Sequence, residues 1–162
     1  MADTENIRAI KHIGAVIDRA NLLESKMVYL IDLYVGPSGV GRDFLRSKVL
    51  HNSILSYGAK IKLIAAIDKA VGKGTVNIEL LHKVGKIRNA FAHGQLAASV
   101  RPQRNPESAS VDYKMVVETL TNDLSVMEID RLRAVDTFRE SSDTLLAQLE
   151  ILEDKIKNAK PY

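Results

Sequence analysis

The chain has 162 residues, 46% hydrophobic and 27% charged, the balance of one ordinary globular domain rather than a disordered or membrane chain. Its 23 Lys and Arg against 20 Asp and Glu leave a net charge of +3, too small to argue for nucleic acid by charge alone. Cysteine is absent, which excludes disulfides, thiolate metal sites and cysteine nucleophiles and agrees with a reducing compartment. The start, Met1 to Asn6, is acidic and polar where a secretory signal is basic and then apolar. The most apolar run, Met27 to Val35, is too short to span a bilayer and carries Asp32. A single cytoplasmic domain over residues 1–162, with no membrane partner, is the expectation.

With no tryptophan and only 5% aromatic residues, the core must be aliphatic, which suits packed helices. A first helix is predicted over Thr4–Val35, where Ile10, Ile13, Ile17, Ala20, Met27, Leu30, Ile31 and Tyr34 recur at helical spacing. Glu24 interrupts that stripe. Gly36-Pro37-Ser38-Gly39-Val40-Gly41 then ends the helix. A second helical region spans Arg42–Val71, weakened in its middle by Ser53, Ser56, Tyr57 and Gly58, where a kink or break is expected. Phe44, Ile54, Ile61, Leu63, Ile64 and Ile67 are among its apolar positions. Gly72-Lys73-Gly74 terminates it, and its likeness to a phosphate loop stops there, since the upstream glycine and preceding strand are missing.

A third helix is predicted over Asn77–His93, with Ile78, Leu81, Val84, Ile87 and Phe91 inward and Gly94 as a left-handed cap. Between Leu96 and Ile129 the period changes. Ser99–Ser110 reads as a polar loop, and Val111, Tyr113, Met115 and Val117 alternate at strand spacing. Thr121-Asn122-Asp123 is turn chemistry, and Leu124–Met127 is expected to pair back as a hairpin. The last helix, Asp130–Lys157, has the cleanest stripe: Leu132, Val135, Phe138, Ser142, Leu145, Leu149, Leu152 and Ile156. The fold class is therefore all-α in the main: an antiparallel helical bundle with a small β-hairpin, within 96–129, inserted before the final helix.

Chemistry concentrates in Lys86-Ile87-Arg88-Asn89-Ala90-Phe91-Ala92-His93-Gly94. Asn89 and His93 are one turn apart on one face, and the long side chain of the adjacent Arg88 swings towards the same patch. His93 stands at the helix C-terminus, where the dipole favours positive charge. A guanidinium holds two phosphate oxygens, and an imidazole gives or takes a proton. No carboxylate lies within a helical turn of Arg88, which leaves Glu24 or Asp32 as long-range partners in a purely structural reading.

Arg-Asn-Ala-Phe-Ala-His resembles the Arg-x4-6-His signature of the HEPN superfamily, here with four residues between Arg88 and His93. Ser56-Tyr57-Gly58-Ala59-Lys60 followed by Ile87 to His93 is similar to the branch that includes the mannitol-operon repressor family. The likeness covers roughly Leu22 to Leu96. It implies a helical bundle that dimerises, bringing two copies of the Arg/His pair to one cleft. Many members are metal-independent ribonucleases of toxin or defence type, which pair with antitoxins; others are non-catalytic regulators. Carried over, Arg88 stabilises phosphorane charge, His93 is general base or acid, and Asn89 orients the imidazole or holds phosphate. The tyrosine that follows the histidine in the toxins is absent; Gly94-Gln95-Leu96 stands there.

Lys60, Arg101 and Arg104 are further candidates for nucleic-acid contact, the last two on a basic loop just after the motif. His12, His51 and His82 share no ligand spacing, so neither a metal nor any other cofactor is expected. The leading expectation is an RNA-binding protein with candidate endoribonuclease activity; the rival is a non-catalytic regulator acting through protein or nucleic-acid contacts. No helix-turn-helix with a credible recognition helix is visible, which weighs against direct DNA reading.

Overall fold

The computed structural model describes residues 2–36, 39–51, 54–102, 111–120 and 125–159. Five helices carry most of them. Helix α1 is Ala2–Val35, ended by Gly36 in the left-handed region at φ 61°. Short α2, Val40–Phe44, runs on as a π-helical turn, Leu45–Val49, which the Leu50 N–H closes by donating to the Leu45 carbonyl at 2.8 Å. The expected break follows. Ser56 Oγ then accepts from the Ala59 N–H at 3.3 Å and opens α3, Tyr57–Ile67. A second π-helical turn, Asp68–Gly72, ends at left-handed Lys73 and Gly74, so Gly72-Lys73-Gly74 is a terminator. The carboxylate of buried Asp68 fixes that corner by accepting from the N–H groups of Thr75 and Val76, both at 3.0 Å. Asn77 Oδ1 accepts from the Leu80 N–H at 2.9 Å and opens α4, Ile78–His93. Helix α5 is Arg131–Ala159, its start capped by Asp130.

Between α4 and α5 lies an antiparallel sheet in the order β1-β2-β3: Gln95–Pro102, Val111–Leu120 and Val126–Asp130. The mainly helical fold with a β insertion is as expected, but the insertion has three strands. The loop predicted from Ser99 is strand as far as Pro102, because β2 supplies a ladder that pairs Gln95 with Glu118 through to Pro102 with Val111. The rest of that loop and the turn at 121–124 lie outside the described residues. No helix among the described residues is long and apolar enough to cross a membrane.

The chain divides into two compact units, Met1–Ile17 with Lys86–Arg139 and Asp18–Gly85 with Glu140–Tyr162, the divisions falling inside α1, α4 and α5. In the second unit, helices pack through Leu23, Met27, Leu30, Ile61, Ile64, Leu81, Val84, Leu145, Leu149, Leu152 and Ile156, all buried. There α1 and α5 run the same way, since Arg19 pairs with Asp143 and Lys26 with Glu153. The Tyr57 ring of α3 lies where a side chain at Gly85 of α4 would go. The first unit holds the sheet and a core of Ile87, Ala90, Phe91, Val116, Val117, Ala134, Val135 and Phe138.

Some expected core positions face outward. Ile10 is 67% exposed, because the buried line of α1 begins one residue earlier, at Ala9 and Val16. Tyr34, Phe44, Ile54, Leu63 and Leu132 are exposed as well.

Candidate functional site

The last two turns of α4 are held by Ile87, Ala90 and Phe91, which are buried and fix the helix face that carries the polar residues. Arg88 is half-buried at the edge of that apolar face, and Asn89 and His93 are exposed. Arg88 Nη1 donates to Asn89 Oδ1 at 3.1 Å, so the first two candidate residues form one polar unit. Among the described residues Arg88 pairs with no carboxylate. The two acids weighed as its structural partners are engaged by other cations: Glu24 accepts from Lys60 at 2.7 Å, and Asp32 accepts from Arg42 at 2.9 and 3.1 Å. At about 100° per residue, His93 lies about 40° around the helix from Asn89 and about 140° from Arg88. Asn89 therefore stands between them.

His93 borders a recess of about 430 Å³ formed where the end of α4 meets the sheet. Gln95, Glu118 and Thr119 give it polar walls; Leu120 and Val126, which face each other in the β2–β3 ladder, give it apolar ones. Arg88 and Asn89 are not among the lining residues. A phosphate inside this recess would meet the Glu118 carboxylate, whose charge opposes an anion there, while Arg88 and Asn89 stand outside it.

Gly94 makes the junction possible, though not as the left-handed cap expected; its φ is not positive. A Cβ there would run into the Ala90 carbonyl oxygen and lie 2.7 Å from both the Glu118 carbonyl oxygen and Val117 Cγ1. Only a residue without a side chain lets β2 approach the helix end this closely.

The other candidates fare differently. Lys60 is not a surface cation: it is 0% exposed and its ammonium is bound to Glu24, so it is not available to a nucleic-acid backbone. Its signal was in the sequence, since Lys60 sits in register with Ile64 and Ile67 on the inward face of α3. Arg101 lies on β1 opposite Asp112 rather than on a loop, and Arg104 lies outside the described residues. Glu118 and Thr119 escaped the sequence reading because their nearness to His93 depends on strand register, which no local pattern near the motif encodes.

Comparison of the chain with protein-family models, with curated proteins and with solved structures found no match.

Proposed function

We propose that the C-terminal end of α4 binds the phosphodiester backbone of RNA and that the protein is a metal-independent endoribonuclease of HEPN-like type. The observation that carries this reading is the hydrogen bond from Arg88 to Asn89, on a rigid helix end, with the guanidinium paired to no carboxylate among the described residues. A half-buried arginine without an acidic partner has donors left for a bidentate phosphate contact. In the proposed reaction His93 takes the proton of a ribose 2′-hydroxyl and the 2′-oxygen attacks the adjacent phosphorus. The 5′-oxygen leaves and is protonated, giving a 2′,3′-cyclic phosphate and a 5′-hydroxyl, while Arg88 offsets the charge on the phosphorane. A homodimer would bring two such helix ends together, and the exposed Leu120, Val126 and Met127 offer it apolar surface.

One observation favours a second reading, a non-catalytic regulator resembling the mannitol-operon repressor family. Glu118, not Arg88, shares the recess with His93, an arrangement suited to holding a partner rather than to cleaving a phosphodiester.

RNA binding is tested by fluorescence anisotropy with a labelled single-stranded RNA over a range of salt. Arg88→Gln should weaken binding about tenfold and reduce the salt slope by about one. Equal affinity and equal slope in wild type and variant contradict the proposal.

A further inference from the structure

The recess of about 430 Å³ between the end of α4 and the sheet lies wholly within the unit that holds the sheet. Gln95 stands opposite Glu118 in the β1–β2 ladder, and Leu120 opposite Val126 in the β2–β3 ladder. Because side chains alternate along a strand, Gln95, Glu118, Leu120 and Val126 share one face of the sheet. Among the described residues the Glu118 carboxylate has no ion pair or hydrogen-bond partner, and His93 lines the same recess without pairing to it. Glu128, directly across from Glu118 on β3, adds to the negative potential. This recess therefore disfavours an anion and favours a ligand that presents N–H donors.

We propose that this recess binds a nucleobase and selects guanine; the inference rests on the reading of α4 as an RNA site. A carboxylate only accepts, through two oxygens, so its complement is a pair of adjacent, parallel N–H donors. On the Watson–Crick edge of the four RNA bases only guanine has such a pair, N1–H beside the 2-amino group. Adenine and cytosine offer one amino group beside an acceptor nitrogen. Uracil offers one N–H between two carbonyl oxygens, which the carboxylate repels. Gln95 carries a donor for guanine O6, and Leu120 and Val126 give the flat ring an apolar bed. Only the sides of Leu120 and Val126 that line the recess are used, so their outward surface remains for a second copy. The volume lies within the usual range of small-molecule sites, roughly 300–1,000 Å³, and admits a purine. With the base inside, its ribose 2′-hydroxyl is delivered to His93 at the border, and the phosphate stays outside on the side of Arg88 and Asn89. Cleavage then falls on the 3′ side of guanosine.

Titration of isotope-labelled protein with nucleosides, followed by amide shifts in the NMR spectrum, tests the pocket with no phosphate present. Guanosine should bind saturably, shift the amides of Gln95, Glu118 and Leu120, and bind about fivefold or more tighter than adenosine or inosine, which lacks the 2-amino group. Glu118→Gln, at a half-buried position, should lose this preference with melting temperature unchanged. Arg88→Gln should bind guanosine as wild type does while its RNA affinity falls, which separates this inference from the reading it rests on. Absent guanosine binding, equal affinity for guanosine, inosine and adenosine, or an unchanged preference in Glu118→Gln overturns the guanine pocket. Cuts spread evenly over all four bases overturn it too, although RNA is cleaved. Intact RNA alongside selective guanosine binding supports the pocket and contradicts the reading of α4 instead.

Discussion

The ammonium of Lys60 donates to Glu24 Oε1 at 2.7 Å, joining α3 to α1 through a pair 0% and 8% exposed. Two charges removed from water are tolerable only together, because each alone leaves an uncompensated buried ion. Lys60→Met should therefore destabilise the fold by about 3–5 kcal/mol, and Lys60→Met with Glu24→Leu should recover most of that loss. Urea denaturation midpoints of the three proteins check this; a double variant no more stable than Lys60→Met contradicts it.

Glu153 of α5 has a different role. Its carboxylate accepts from Lys157 and Lys26, each at 2.5 Å, and from the Tyr29 hydroxyl at 3.0 Å. These contacts, Lys157 first and Lys26 next, hold its pKa at about 2 instead of the ordinary 4.5, against the opposing effect of burial. A carboxyl whose folded pKa is depressed adds stability above its unfolded value and loses it as pH falls through the folded one. The contribution of Glu153 is thus complete above pH 4.5 and fades towards pH 2. Thermal melts should show wild type losing stability over that window, with a shallower decline in Glu153→Gln. Parallel pH profiles contradict the assignment.

Gly94→Ala tests the junction of helix and sheet. The added methyl would lie within 2.7 Å of the Glu118 carbonyl oxygen and Val117 Cγ1, and closer still to the Ala90 carbonyl oxygen. Two of these are backbone atoms that cannot rotate away, so overpacking should cost about 1–3 kcal/mol. Differential scanning calorimetry should register a lower melting temperature. A variant as stable as wild type would mean that β2 yields without cost.

The helices were legible because their signals are local. The stripe from Val135 to Ile156, the glycines after Val35 and the weak middle near Ser56 each act within a few residues. The π-helical turns at Leu45–Val49 and Asp68–Gly72 were not, since i+5 hydrogen bonding has no residue signature. Strand β1 was missed because Ala97, Ala98 and Ser99 have little strand preference of their own and take it from pairing with Val116, Met115 and Lys114. At the site, the neighbouring pair Arg88 and Asn89 could be read from sequence. Glu24 could be seen as an anomaly in an apolar stripe, but its partner is 36 residues away and only the fold reveals it.

The central claim, chemistry on RNA at the end of α4, is tested most directly by end analysis of RNA incubated with purified protein in EDTA. Wild type should yield 2′,3′-cyclic phosphate and 5′-hydroxyl ends, and His93→Ala should lose at least about a hundredfold in rate. Because His93 is exposed, the melting temperature of that variant should match wild type. Intact RNA with wild type, or equal cleavage by His93→Ala, contradicts the claim.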